Sequence, residues 1–328
     1  MSRVGLVLGG GGITGASFHF GALFALRLAT GWDPGTADVI VGTSSGAVVA
    51  AIARSGRLEL EGLVANVNND EEFAAALGKL IHRRAPLRGA GRWIRHGLIP
   101  GLRRPGVRLA LGAPAPYTTE GIADWVRRAL GPAAHTWPET PTTIVAFEIE
   151  SKQRVPFGTI DSPDTDLATA VAASVAVPMM FDPVTIHGKR YVDGGVASGT
   201  NADLVLGSSD PLDLVIVSAP MAAVERRDDA RFYERLLDRI GGATLTAELD
   251  AIHAAWPEAD LVVLRPDLEV LAQTRPKPLS PASAIPAFLS TLQSMRSILG
   301  SDDVWPLLEK HVVRAGARLP FGSRARIG

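Results

Sequence analysis

The chain has 328 residues, 46% of them apolar, which is enough for one large domain or two ordinary ones with a substantial core and excludes disorder as the default state. Its 33 basic and 34 acidic residues leave a formal charge of −1, so the whole-chain balance gives no electrostatic case for nucleic acid, and none is expected as a partner. The absence of cysteine excludes disulfide scaffolds, thiolate metal sites and cysteine nucleophiles, and the seven histidines form no H-E-x-x-H pair, so neither a metal nor another cofactor is expected.

Val4 to Leu8 is a continuous apolar run closed by glycines, the pattern of a strand covered on both faces. The 23 residues from Val4 to Leu26 carry no formal charge, yet seven are glycine, a composition that suits a strand, a loop and a helix better than a signal peptide or a membrane span. A cytoplasmic protein is therefore expected. A helix follows from about Thr14 to Thr30, then a buried strand from Asp38 to Val41 and a small-residue helix from Ser45 to Arg54. Thr142 to Glu148, Asp213 to Ser218 and Leu261 to Leu264 read as further strands, with helical stretches such as Glu120 to Leu130 and Ala230 to Ala255 between them. This alternation predicts an α/β fold with a mostly parallel sheet and helices on both faces. Residues 1 to about 220 read as the core, and 221 to 328 as a helical extension with one further strand.

Gly42-Thr43-Ser44-Ser45-Gly46 is G-x-S-x-G between a buried strand and a helix, the sequence form of a nucleophile elbow. Glycine at both ends, Gly42 and Gly46, lets the chain reverse sharply and leaves room for a substrate carbonyl to approach the Ser44 hydroxyl. The helix starting at Ser45 turns its N-terminal N–H groups and the positive end of its dipole towards a developing oxyanion. The bland alternative is a glycine-serine turn that matches by chance.

Gly10-Gly11-Gly12-Ile13-Thr14-Gly15 also satisfies the dinucleotide pattern G-x-G-x-x-G after a first strand. A nucleotide site needs an acidic residue near the end of the second strand to bind the ribose, whereas Asp38 begins that strand and Gly42-Thr43-Ser44 ends it. A hydrolase asks only for backbone N–H donors beside Ser44, and parallel neighbouring strands bring both loops to one sheet edge. A purely structural glycine turn is the remaining reading.

A serine hydroxyl needs a base within hydrogen-bond reach. Asp193, in Tyr191-Val192-Asp193-Gly194-Gly195, is delivered by a short apolar stretch into a glycine turn, although an aspartate before glycine is also an ordinary turn feature. A Ser-Asp-His triad would require His253 or His311, and both fall in helical stretches rather than loops. A two-residue Ser44–Asp193 device is the better reading, and it requires a partly desolvated carboxylate, because an aspartate at its ordinary pKa is a poor proton acceptor.

With a glycine-rich loop, a G-x-S-x-G elbow and an Asp-Gly-Gly turn in that order, the sequence resembles the patatin-like phospholipase family over roughly residues 4 to 205. Ala173-Ser174-Val175-Ala176-Val177-Pro178 adds to the likeness, as the small-residue helix that ends in proline before the aspartate. The resemblance implies a three-layer α/β/α fold and hydrolysis of lipid or fatty-acyl esters through an acyl-enzyme. It makes Ser44 the nucleophile, Asp193 the base, and the backbone N–H groups of Gly10, Gly11 and Gly12 the oxyanion hole. Thr14 departs from the pattern, since the family usually has arginine or lysine there, and this weakens a preference for phospholipid more than ester cleavage itself. The alternative on the same fold is a non-catalytic protein that binds an acyl ligand or acts as a scaffold.

Between Lys79 and Arg108 lie nine lysines and arginines, and no acid occurs from Phe73 to Thr119, so the neutral total hides a basic cap insert at about 73–119. Arg84, Arg88, Arg92 and Arg95 share one face at helical spacing, and Leu87, Trp93, Ile94, Leu98 and Ile99 supply apolar material, a pattern that suits peripheral membrane contact. Pro86, Gly89 and Gly91 interrupt that helix, and a solvated, irregular cap is the competing expectation. A second basic cluster at 314, 318, 324 and 326 reads as a tail.

Overall fold

The computed structural model describes residues 2–58, 69–85, 111–225, 227–229, 232–275 and 277–314. Most of the basic insert, including Leu87, Arg88, Arg92, Trp93, Ile94, Arg95, Leu98 and Ile99, lies outside the described residues, as do the arginines at 318, 324 and 326.

Eight strands form one mixed sheet: β1 (Val4–Leu8), β2 (Val39–Thr43), β3 (Thr142–Glu148), β4 (Gln153–Phe157), β5 (Val184–Ile186), β6 (Lys189–Asp193), β7 (Leu214–Ser218) and β8 (Asp260–Leu264). The order is β5-β6-β3-β2-β1-β7-β8, with β4 pairing β3 off that path. The five strands β3-β2-β1-β7-β8 are parallel and carry near-continuous apolar sequence, because both of their faces are covered. Their side chains divide by alternation. Leu6, Leu8, Ile40, Ile144 and Ile216 enter one core, while Val7, Val41, Val145, Val215 and Val217 enter the other.

The first core is covered by α1 (Gly12–Thr30), α2 (Ser45–Arg54), α4 (Glu120–Leu130), α5 (Leu167–Ser174) and α8 (Ala284–Leu299). The second is covered by α6 (Phe232–Ala255), through Leu245 and Ile252, and by the short turn at Ala202–Gly207. The fold is thus a three-layer α/β/α sandwich. Three further helices, α3 (Asp70–Ile81), α7 (Leu268–Thr274) and α9 (Trp305–His311), complete the described chain. Among the described residues no helix is long and apolar enough to cross a membrane.

The antiparallel strands determine what meets at the sheet edge. β4 pairs β3 from Ile144 to Glu148 and so occupies one side of it. β2 and β6 must share the other side, β2 along Thr142 to Val145 and β6 along Ala146 to Glu148. They run towards each other. β2 ends with Thr43 opposite Val145, and β6 ends with Asp193 opposite Ala146, so the residues that follow the two strands converge from opposite directions.

Candidate active site

Ser44 stands between β2 and α2 with φ 55° and ψ −123°, a left-handed backbone that an L residue adopts only where its surroundings compel it. Its surroundings do so. The Ser44 N–H donates to Ser174 Oγ at 2.9 Å, and Ser174 Oγ donates onward to Val145 O at 2.6 Å. α2 is drawn hard against the end of β1, where the Gly46 N–H donates to Gly9 O at 3.1 Å and a Cβ on Gly46 would lie 2.0 Å from Leu8 O. No side chain fits there, which explains the second glycine of the elbow.

The Ser44 hydroxyl donates to Asp193 Oδ2 at 2.6 Å, across 149 positions of sequence. The other carboxylate oxygen, Oδ1, accepts the Gly195 N–H at 2.7 Å, and the Asp193 N–H donates to Ala176 O at 2.9 Å. One short segment at the end of α5 therefore holds both partners, Ser44 through Ser174 and Asp193 through Ala176. Both side chains are buried, at 6% and 5% exposure. Burial pushes the Asp193 carboxyl up to about 6, against the smaller downward pull of the Ser44 hydroxyl and the Gly195 N–H. Such a carboxylate is ionised at neutral pH and far more basic than an exposed one.

The glycine loop runs alongside. A Cβ on Gly10 would sit 3.2 Å from Ser44 Cβ, so glycine permits the loop to approach the serine. The Gly10 N–H, expected from the sequence as an oxyanion donor, instead donates to Gly199 O at 2.7 Å and fixes the loop. The Gly11 and Gly12 N–H groups have no acceptor among the described residues. Beneath the loop, His19 is fully buried, with Nε2 2.6 Å from Gly9 O and Nδ1 2.7 Å from Ser218 Oγ. A carbonyl only accepts, so Nε2 carries the proton and Nδ1 accepts from the serine. Burial lowers the His19 pKa to about 4 and keeps the ring neutral, with the Gly9 bond pulling weakly the other way.

Ser44 opens into a cavity of about 480 Å³, within the range of small-molecule pockets. Its walls are overwhelmingly apolar, and Asp70 is the charged side chain among the described lining residues. Thr14 is buried, its hydroxyl donating to Thr274 O at 3.2 Å. Ser45 Oγ is buried in the wall without a partner among the described residues.

The structure brings Ser44, Asp193 and the Gly10–Gly12 loop together and leaves the two histidines elsewhere. His253 is exposed on α6. His311 bonds Asp260 at 2.7 Å at the start of β8, the opposite edge of the sheet. Asp38 also lies at that opposite edge, accepting the Val4 N–H at 2.7 Å, so no acid stands at the end of β2 for a ribose. Among the described residues no cluster of His, Asp or Glu is arranged to hold a metal ion. Ser174 and His19 were not identified from sequence as positioning groups. The signals available were a serine in the helix before Pro178 and a histidine between Phe18 and Phe20 in a helix that carries no formal charge before Arg27 in its last turn.

The sequence matches the patatin-like phospholipase family model over residues 6–206. It is 31% identical over 217 residues to an uncharacterized NTE family protein of Mycobacterium bovis, and equally to uncharacterized NTE family proteins of two Mycobacterium tuberculosis strains. Those alignments cover 63% of this chain and 49% of each relative, so the chain spans about half the length of the curated relatives it matches. Among solved structures, VipD from Legionella pneumophila aligns with 91% of this chain and 67% of its own, at 13% identity and a TM-score of 0.37.

Proposed function

The chain belongs to the patatin-like phospholipase family, and from that premise we propose that it is a serine acyl hydrolase that cleaves lipid or fatty-acyl esters through an acyl-enzyme on Ser44. Family membership implies lipid acyl hydrolysis. The choice of residues rests on one observation, the 2.6 Å bond from the Ser44 hydroxyl to a buried carboxylate at an apolar cavity.

In the proposed cycle the ester enters with its carbonyl carbon at Ser44 Oγ. As Oγ attacks, its proton passes to Asp193 Oδ2 and the carbonyl electrons move to oxygen. The Gly11 and Gly12 N–H groups, together with the N-terminal end of α2, stabilise that oxyanion. Collapse of the tetrahedral intermediate breaks the C–O bond, and the proton on Asp193 leaves with the alcohol. Water then attacks the acyl-enzyme while Asp193 accepts its proton, and the carboxylate returns that proton to Ser44 as the acid departs. Besides the ester and water, only the protein's own groups take part in this sequence.

The apolar wall favours the fatty chain of the substrate, and the buried Thr14 leaves the loop without the cation an anionic head group would seek, so a neutral ester is the preferred substrate in this reading. Reaction with a fluorophosphonate probe tests it. Wild-type protein should be labelled and Ser44→Ala should not; a folded wild type that resists labelling would instead favour a non-catalytic acyl-binding role.

A further inference from the structure

The cavity above Ser44 has two unlike halves. Ile13, Ala16 and Phe20 of α1, with Val48 of α2, belong to the fold that carries the serine. The rest comes largely from α3 and from residues 279–289, and the latter lie beyond the matched region 6–206.

None of the 12 residues of α3 is buried, yet Phe73, Leu77, Leu80 and Ile81 all line the cavity. Their spacing puts them on one helical face. That face is turned towards the cavity. An amphipathic helix placed in this way is completed by an apolar ligand.

The opposing segment is seated on the glycine loop. The Thr14 N–H donates to Pro278 O at 3.2 Å, and a Cβ on Gly12 would meet Pro278 O at 2.7 Å and Leu279 Cδ2 at 2.8 Å. The helix that follows, α8, lies tightly on α1, where a Cβ on Gly21 would be 3.0 Å from the Thr291 side chain. Leu279 thus touches the loop beside Ser44, and Ile285 and Phe288 extend the same wall along α8.

We infer that residues 277–289 are the acyl-chain selector of this protein, with Leu279, Ile285 and Phe288 forming a fixed wall along which the fatty chain lies while the apolar face of α3 forms its other side. The inference rests on Ser44 as the acyl nucleophile, because that contact starts the chain next to Leu279.

The test compares kcat/KM for p-nitrophenyl palmitate and p-nitrophenyl butyrate in wild type, Leu279→Trp, Ile285→Trp and Leu268→Trp. Leu268 is exposed and outside the cavity wall, so its variant serves as control. Both wall variants should lower the palmitate-to-butyrate ratio by roughly tenfold or more, and the control should not. An unchanged ratio in a folded wall variant overturns the inference. If circular dichroism shows that tryptophan is not tolerated, Leu279→Ala and Ile285→Ala should still lower the ratio through lost contact, and an unmoved ratio again overturns it. A wild type that neither cleaves esters nor reacts with fluorophosphonate removes the nucleophile assignment alone. The wall is then decided by binding of a fluorescent hexadecanoyl probe to Ser44→Ala, roughly tenfold weaker with Leu279→Trp added if the wall is real and equal if it is not.

Discussion

The two sides of the cavity are built in different ways. On the Ser44 side, short directional bonds tie each group to backbone: Ser44 through Ser174 to Val145, Asp193 to Ala176 and Gly195, and Gly9 to His19 and Gly46. On the α3 side, partly exposed apolar side chains face space, and a helix without a buried residue closes the wall. Positions that must hold to a fraction of an ångström are overdetermined, and positions that need only be apolar and about the right size are not.

The sharpest way to break the contrast is Asp193→Asn, which keeps the shape and removes the proton acceptor. Ester turnover should fall by roughly 10⁴-fold, measured as kcat with a short-chain ester, whereas the exposed His253→Ala should leave it unchanged. The reverse result would restore a histidine-dependent triad. In wild type, kcat/KM should decline about tenfold per pH unit below about 6 as Asp193 takes up its proton.

The bonded side also contains two buried titrating groups whose effects on stability oppose each other. Asp193 titrates at about 6 when folded against 3.8 ordinarily, so its contribution to stability is present at low pH and is lost as pH rises through that interval. His19 titrates at about 4 against 6.5, so its contribution is present above 6.5 and is lost as pH falls towards 4. Each is worth about 3 kcal/mol, and between pH 4 and 6 the two slopes cancel. Urea unfolding of Asp193→Asn across that interval should therefore reveal the His19 slope, with stability falling on acidification more steeply than in wild type. Equal slopes would count against the raised pKa of Asp193, and a profile of Asp193→Asn that does not fall on acidification would count against a neutral buried His19.

Ser174→Ala strands the buried Ser44 N–H at a positive φ. It should cost about 2 kcal/mol of stability and lower kcat roughly tenfold to a hundredfold with little change in KM, since a displaced nucleophile acts on the chemical step. A KM effect with intact kcat would place Ser174 on the wall side of the comparison instead. The smallest effect is expected at Ser45, whose buried hydroxyl lacks a partner among the described residues. Ser45→Ala should raise stability by about 1 kcal/mol, read as a higher urea midpoint.

The parallel strands and the elbow were legible in sequence for a common reason. A strand covered on both faces must be apolar throughout, and a sharp strand-to-helix turn must be glycine-rich, so Val4–Leu8, Val39–Thr43 and Gly42–Gly46 carry their structure locally. β4, β5 and β6 were not visible as strands. Gln153, Arg154, Pro156, Lys189 and Arg190 interrupt any apolar run, and these short antiparallel strands exist because β3 offers them edges. The roles of Ser174 and His19 depend on partners brought close only by the completed sheet. The engagement of the Gly10 N–H by Gly199 is of the same kind, since glycine spacing reveals a loop and leaves the direction of its N–H groups open. The apolar face of α3 is carried by the spacing of Phe73, Leu77, Leu80 and Ile81, but these residues run without a break into the basic stretch, and the sequence alone does not separate the helix from the cap.

Because β2 and β6 are both measured off along one side of β3, that strand acts as a ruler for the pair that follows them. Length changes in the connections between β2 and β3, or between β3 and β6, leave the reach from hydroxyl to carboxylate untouched so long as the strand registers, the elbow helix and the Ser174–Ala176 segment hold. One residue added between Val145 and Ala146 would lengthen the ruler by about 3.3 Å and pull the pair apart. The architecture thus tolerates insertions in its connecting loops and almost none within a seven-residue strand that contributes no reacting group of its own.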